Sequence, residues 1–186
     1  KFGARDCEEG SIWLNPQTWS ILSGHATGER AKNILKNVKT RLSNDFGLMI
    51  LDPPYQKADV EVIKASLFNK GTKENGGIFN HTQGWAVMAE AMQGNGTRAY
   101  EYFRASMPSA YNTKAEIREI EPYVYSQSTH SKYSPRYGAS RLPWLTGAAT
   151  WAFFSVSQYI LGIRPEYDGM TIDPCIPAGW KEARVN

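Results

Sequence analysis

Apolar residues recur at helical spacing in several separate stretches of this chain, and long polar segments lie between them. That alternation restricts the chain to packed helices joined by long loops. The best-marked stretch carries Ala31, Ile34, Leu35, Val38 and Leu42 at i, i+3, i+4, i+7 and i+11. Lys32, Lys36, Lys39 and Arg41 occupy its other side, and Asp45-Phe46-Gly47 breaks it. Pro16 opens a shorter helical run over 17–22, closed by Ser23-Gly24. Trp85, Met88, Ala89 and Met92 repeat the helical spacing until Gly94-Asn95-Gly96. A fourth helix is predicted over 97–106, ahead of Pro108, and a fifth over 146–161.

Between these lie segments of another kind. The apolar run 48–51, stopped by Asp52-Pro53-Pro54, reads as an extended connector. Residues 69–77 are polar and glycine-rich, which predicts a loop. Residues 107–143 are rich in Tyr, Ser and Pro and read as irregular, with one turn of helix over 114–118. After Pro165, Asp168-Gly169 and the prolines 174 and 177 predict turns and strands. The expected fold is therefore all-α, layered or toroidal, with the start of a small C-terminal β region from residue 165. Loops of this length in a compact domain commonly carry function.

Charge and composition narrow the classes. The formal charge is +3, with Lys and Arg scattered among acids, which gives no footprint for nucleic acid. No apolar stretch approaches the roughly 18 residues of a membrane span, and no signal peptide opens the chain. Cys7 and Cys175 lie near opposite ends without metal-ligand spacing, so reduced thiols in a cytoplasmic protein are expected. The opening Lys1-Phe2-Gly3 and a strand-like end are what a segment of a larger protein would show. With 6 Trp, 10 Tyr and 7 Phe, the aromatics suit a dense core, an interface or platforms that stack on sugars.

Three places carry candidate chemistry. In Pro143-Trp144-Leu145-Thr146-Gly147-Ala148 the predicted N-cap Thr146 and its neighbour Gly147 offer a hydroxyl and an approachable backbone at a helix start. That suits an anion, or an ordinary cap. In Phe79-Asn80-His81-Thr82-Gln83 the imidazole of His81 suits phosphate binding or proton transfer, or a hydrogen bond within a loop. Lys73-Glu74-Asn75 suits sugar hydroxyls, or a solvated loop. Glu116, Glu119 and Glu121 around Arg118 could hold a carboxylate pair or form a salt-linked surface. His25 and His130 have no partners for a metal site.

Long motifs then point to a family. The runs Gly71-Thr72-Lys73-Glu74-Asn75-Gly76-Gly77-Ile78-Phe79-Asn80-His81-Thr82-Gln83-Gly84-Trp85, Arg118-Glu119-Ile120-Glu121-Pro122-Tyr123-Val124 and Ser140-Arg141-Leu142-Pro143-Trp144-Leu145-Thr146-Gly147 resemble glycoside hydrolase family 94. This is the family of the cellobiose, cellodextrin and N,N'-diacetylchitobiose phosphorylases. Trp13-Leu14-Asn15-Pro16-Gln17-Thr18-Trp19 near the start, Tyr159-Ile160-Leu161-Gly162-Ile163-Arg164-Pro165 and Asp173-Pro174-Cys175-Ile176-Pro177 extend the resemblance over nearly the whole chain.

The resemblance implies part of an (α/α)6 barrel over residues 1–164, with residues 165–186 beginning a C-terminal β region. It implies reversible, inverting phosphorolysis of a β-linked disaccharide, with inorganic phosphate as co-substrate and no cofactor or metal. His81, Thr146 and Gly147 would bind phosphate, and Lys73, Glu74 and Gln127 would serve the sugars. The general acid of the family is an upstream aspartate and a phosphate-binding arginine also lies upstream. Hence Asp6, Asp45 and Asp52 are not assigned that role, and these residues alone are expected to be inactive. A Glu and a Tyr that grip the acceptor in cellobiose-specific members are replaced here by Lys64-Ala65-Ser66-Leu67-Phe68, which leaves other acceptors open. The family's common homodimer is the expected assembly. Two further expectations compete with a disaccharide phosphorylase: the phosphorylase-like module of a cyclic β-1,2-glucan synthase, and a non-catalytic carbohydrate-binding module.

Overall fold

A computed structural model describes residues 7–185; Asp6 and the opening Lys1-Phe2-Gly3 lie outside them. The scaffold is helical: α1 (Leu14–Leu22), α2 (Gly28–Asn37), α3 (Gln83–Met92), α4 (Gly96–Ser106), the short α5 (Ala115–Arg118) and α6 (Ala148–Ser155). Both α2 and α6 run on into a wider π-helical turn, Val38–Leu42 and Val156–Ile160. These turns carry the helical segments to 42 and 160, within a residue of the lengths that apolar spacing predicts. Val38, Leu42 and Ile160 stay buried.

α3 is the central element, packed against α1, α4 and α6. From Gln83 to Ala91 every residue except Trp85 is buried, so the helix is enclosed on all sides rather than on one stripe. Met92, counted in its apolar spacing, is exposed at the end. The enclosure needs small residues: Gly84, Ala86, Ala89 and Ala91 let neighbouring helices approach. Around α3 the main core gathers Leu14, Leu42, Leu48, Met49, Ile78, Val87 and Ile160. Each such side chain contributes about 2 kcal/mol of burial.

One expectation for the connecting segments holds and one changes. The 48–51 run is extended, as its composition predicts, and it is buried. β3 (Gly47–Leu48) and β4 (Leu51–Asp52) carry it through the interior, paired with β2 (Ser43–Asn44) and β1 (Ile12–Trp13) respectively. The segment 107–143, by contrast, is not wholly irregular. Within it β6 (Ser126–Thr129) and β7 (Ser140–Pro143) pair antiparallel, and β5 (Ile78–Phe79) adds on the other side of β6. The alternation that marks strands was hidden because both faces of β6 are polar. Its Ser126, Ser128 and Thr129 are buried in hydrogen bonds rather than among apolar side chains. So the helices are joined by a three-stranded sheet, and an all-α description holds for the scaffold alone. The expected turn over 114–118 is present as α5, and β8 (Ile163–Pro165) with β9 (Met170–Ile172) forms the hairpin that the turn residues after Pro165 imply.

Candidate functional site

The sheet and two helix starts converge. β5 lies between the 69–77 loop and a short turn, Asn80–Thr82, that leads straight into α3. Asn80 fixes that turn to the sheet. Its buried Nδ2 donates to Ser126 O (3.1 Å), Ser126 Oγ (2.7 Å) and Thr129 Oγ1 (3.1 Å). Gln83, fully buried, fixes it from the other side. Its Nε2 donates to Leu48 O and Phe79 O, both at 3.0 Å, and its Oε1 accepts the Leu48 N–H at 2.7 Å. His81 stands between these two anchors, half-buried. Neither Asn80 nor Gln83 was singled out by sequence. The only signal was their polarity in a segment that then turns apolar.

Gly147 meets His81 directly. A Cβ built on Gly147 would sit 3.1 Å from both Cε1 and Nδ1 of the imidazole. The start of α6 and the turn before α3, 66 positions apart in sequence (147 against 81), are therefore in van der Waals contact. No described residue hydrogen-bonds to either ring nitrogen of His81, so both remain available to a ligand. Burial lowers the His81 pKa below its usual value, so the ring is neutral at neutral pH, with one nitrogen donating and one accepting.

Thr146 does not sit where the sequence placed it. The N-cap position of α6 is Gly147, one residue later, because the chain enters the helix through a tight left-handed path. Leu142 and Trp144 both have positive φ (54° and 69°), and Thr146 N–H bonds back to Trp144 O at 2.9 Å. The Thr146 hydroxyl nevertheless accepts the Ala148 N–H at 3.0 Å. It therefore satisfies one of the first donors of the helix from just outside. Hydroxyl, glycine backbone and imidazole lie on consecutive or touching residues. Such a cluster offers hydrogen-bond donors to an oxyanion without a formal positive charge.

The 69–77 loop is folded on itself rather than solvated. Gly71 N–H bonds to Asn75 O (2.8 Å) and Gly77 N–H to Lys73 O (3.1 Å). A Cβ on Gly77 would come within 2.6 Å of Lys73 backbone atoms, so glycine is required there. Asn75 proves structural: its amide accepts from Tyr55 N (2.7 Å) and donates to Tyr55 O (2.9 Å) and Phe68 O (2.8 Å). That removes it from the sugar-recognition candidates. Its two neighbours remain. Lys73 is held at a strained φ of 42° with its ammonium 5.2 Å over the Phe68 ring. Glu74 is half-buried, and its Oε2 is buried with no hydrogen-bond partner among the described residues. An orphaned carboxylate oxygen is costly unless something polar completes it. Gln127 is half-buried on β6, across from Asn80 when the Phe79–Ser128 pairing is continued by one residue. Its side chain projects to the sheet face opposite Ser126 and Ser128. No hydrogen bond ties Gln127, Lys73 or Glu74 to His81 or Gly147; the sheet alone relates them.

The acidic group around Arg118 is divided. Arg118 turns inward, donating to Val124 O (2.8 Å) and Glu121 O (3.4 Å). Glu119 faces out, bonded to Arg136 and Arg141, and the Arg136 hydrogen bond holds its carboxyl below the usual range. Of the two alternatives for this cluster, the salt-linked surface fits. His130 Nδ1 is within 2.8 Å of Ser134 Oγ, inside a turn. Among the described residues no helix is long and apolar enough to cross a membrane.

Comparison with known families gives this helical scaffold its class. The family model of the glycosyl hydrolase 94 superfamily, catalytic domain, matches residues 1–162, and the chain belongs to that family. Solabiose phosphorylase of Paenibacillus borealis is 35% identical over 185 residues, covering 100% of this chain and 24% of that protein. N,N'-diacetylchitobiose phosphorylase of Vibrio furnissii is likewise 35% identical over 185 residues, 100% of this chain and 23% of that protein. Cyclic beta-(1,2)-glucan synthase NdvB of Rhizobium meliloti is 32% identical over 192 residues, 97% of this chain but 7% of that protein. The chain thus spans about a quarter of the length of the phosphorylases it matches.

Proposed function

We propose that this chain forms the phosphate side and part of the sugar side of an inverting phosphorylase, within an (α/α)6 barrel. The intact enzyme would cleave a β-linked disaccharide with inorganic phosphate, releasing an α-sugar 1-phosphate and a free sugar. A phosphate oxygen attacks the anomeric carbon from the face opposite the leaving sugar. The glycosidic C–O bond breaks, and the leaving oxygen takes a proton from an acid that is not among these site residues. This is the inverting geometry of glycoside hydrolysis with phosphate in place of water. Phosphate is already anionic, so the protein needs no strong base. It must hold the nucleophile in line and offset its charge.

His81, the Thr146 hydroxyl and the Gly147 N–H hold the phosphate in this scheme. Glu74 accepts from hydroxyls of the non-reducing sugar, Lys73 lies toward the acceptor, and Gln127 lies beside the phosphate or the reacting sugar. The observation that carries the proposal is the contact between the His81 ring and Gly147, two residues the fold brings from distant segments. The buried, unpartnered Glu74 Oε2 supports a polar ligand at the loop.

Relatives acting on solabiose and N,N'-diacetylchitobiose support a disaccharide substrate; a synthase module is favoured only by the similarity to the glucan synthase. Incubation of the intact protein with phosphate and a panel of β-linked disaccharides should yield an α-sugar 1-phosphate. No sugar phosphate from any of them would defeat the proposal.

A further inference from the structure

A functional imidazole is ordinarily oriented by a hydrogen bond to the nitrogen that does not face the ligand. His81 has no such bond from any described residue. Its ring is enclosed by rings instead. The His81–Trp85 centroids are 5.4 Å apart at 73°, His81–Trp151 6.0 Å at 40°, and Trp85–Trp151 5.7 Å at 86°. The three rings touch pairwise and close a triangle. The indoles are backed in turn, Trp85 by Trp19 (5.4 Å) and Trp151 by Phe154 (5.9 Å).

The two helix starts are fitted to this triangle. Trp85 and Trp151 both lie in the opening turns of their helices, α3 and α6. Glycines let those turns meet. A Cβ on Gly84 would lie 2.9 Å from Trp151 O, and one on Gly147 would lie against the imidazole. The Trp85 indole N–H, moreover, is buried without an acceptor among the described residues. A tryptophan kept for its polar handle would have one. Here the ring face and edge are what the position requires.

We propose that Trp85 and Trp151 are positioning residues, which hold the His81 imidazole in one orientation with its Nδ1–Cε1 edge against Gly147. They replace the missing orienting hydrogen bond by enclosure. The consequence for phosphate binding rests on the assignment of His81 to phosphate, whereas the consequence for ring orientation does not. The same enclosure removes water from the ring, in accord with its lowered pKa.

The test uses the intact enzyme with Trp85→Leu, Trp151→Leu and the longer, unbranched Trp151→Met, each beside a Phe replacement at the same position. The Leu and Met variants should raise the phosphate KM about tenfold, while the disaccharide KM moves by less than about twofold. The Phe variants should rescue most of that loss, since they restore a flat wall and at position 85 remove an unsatisfied donor. Crystal structures of the Leu or Met variants should show His81 in more than one ring orientation. If the ring keeps its single orientation in them, or if Phe rescues nothing, the inference is overturned. His81→Ala separates the two claims. Should it leave the phosphate KM unchanged, the phosphate assignment fails and ring orientation alone decides the positioning role. Should it raise the KM while the Trp variants do not, the positioning role fails.

Discussion

Gly84 rests on the backbone of Trp151: a Cβ there would lie 2.9 Å from both the Trp151 carbonyl oxygen and its Cβ. The neighbour is helical main chain and the Cβ fixed to it, so it cannot swing aside as the far end of a flexible side chain would. Gly84→Ala should therefore push α3 and α6 apart and destabilise the protein by about 1–3 kcal/mol, although alanine is the better helix former. Denaturant unfolding measures this, and a neutral or stabilising result would show that the helices are less closely fitted.

Gln83 satisfies three interior groups at once, the N–H and O of Leu48 and the O of Phe79. Gln83→Leu keeps the approximate volume and removes every one of those bonds, leaving buried backbone groups unpaired. A loss of about 3 kcal/mol is expected. Gln83→Glu tests the chemistry more sharply, because a carboxylate can accept from Leu48 N–H but cannot donate to the two carbonyls. It should destabilise more at neutral pH than in acid.

The His81 ring gives stability a pH dependence of defined sign. Its folded pKa lies below the ordinary histidine value because burial disfavours the charged form. The unfolded chain therefore takes up a proton first as pH falls. Full stability is present above about pH 6.5 and is lost as pH falls toward the folded pKa. In His81→Gln this part of the loss should vanish, while the part due to His130, whose pKa burial also lowers, remains. Melting temperatures of both proteins from about pH 8 to 5 check it. Parallel curves would mean that His81 titrates alike in both states.

Thr146 separates two roles. Thr146→Ser retains the hydroxyl that accepts the Ala148 N–H, and Thr146→Ala removes it. Alanine should cost about 1 kcal/mol of stability and raise the phosphate KM, with serine close to the parent in both. If alanine lowers stability but leaves the phosphate KM unchanged, Thr146 is only a helix cap.

The helices were legible because apolar spacing in this chain follows the helical period, and the long motifs carried the family. What escaped the sequence was what polar residues did in the interior. Ser126, Ser128 and Thr129 read as loop composition, yet they form the buried strand β6. Asn75 read as part of a loop that was either solvated or suited to sugar hydroxyls, and it proved to brace Tyr55 and Phe68. Buried polar side chains satisfied by backbone have no period, and nothing local reports their distant partners. Thr146 missed the N-cap by one residue because Trp144 enters the helix through a left-handed conformation, which non-glycine residues seldom adopt. The pairing of His81 with Gly147 was expected from the resemblance alone, and the fold supplies the contact.

Phosphate binding by Gly147→Ala tests that pairing most directly. The added methyl would be 3.1 Å from Cε1 and Nδ1 of His81, tighter than ordinary packing, so the imidazole must move away from the helix start. Titration of phosphate into the intact protein, followed by calorimetry, should show at least about tenfold weaker binding for Gly147→Ala and for His81→Ala. Making both changes together should add much less than the sum of the two, as expected for one shared site. Phosphate affinity equal to the parent in both single variants would contradict a common oxyanion site at these residues.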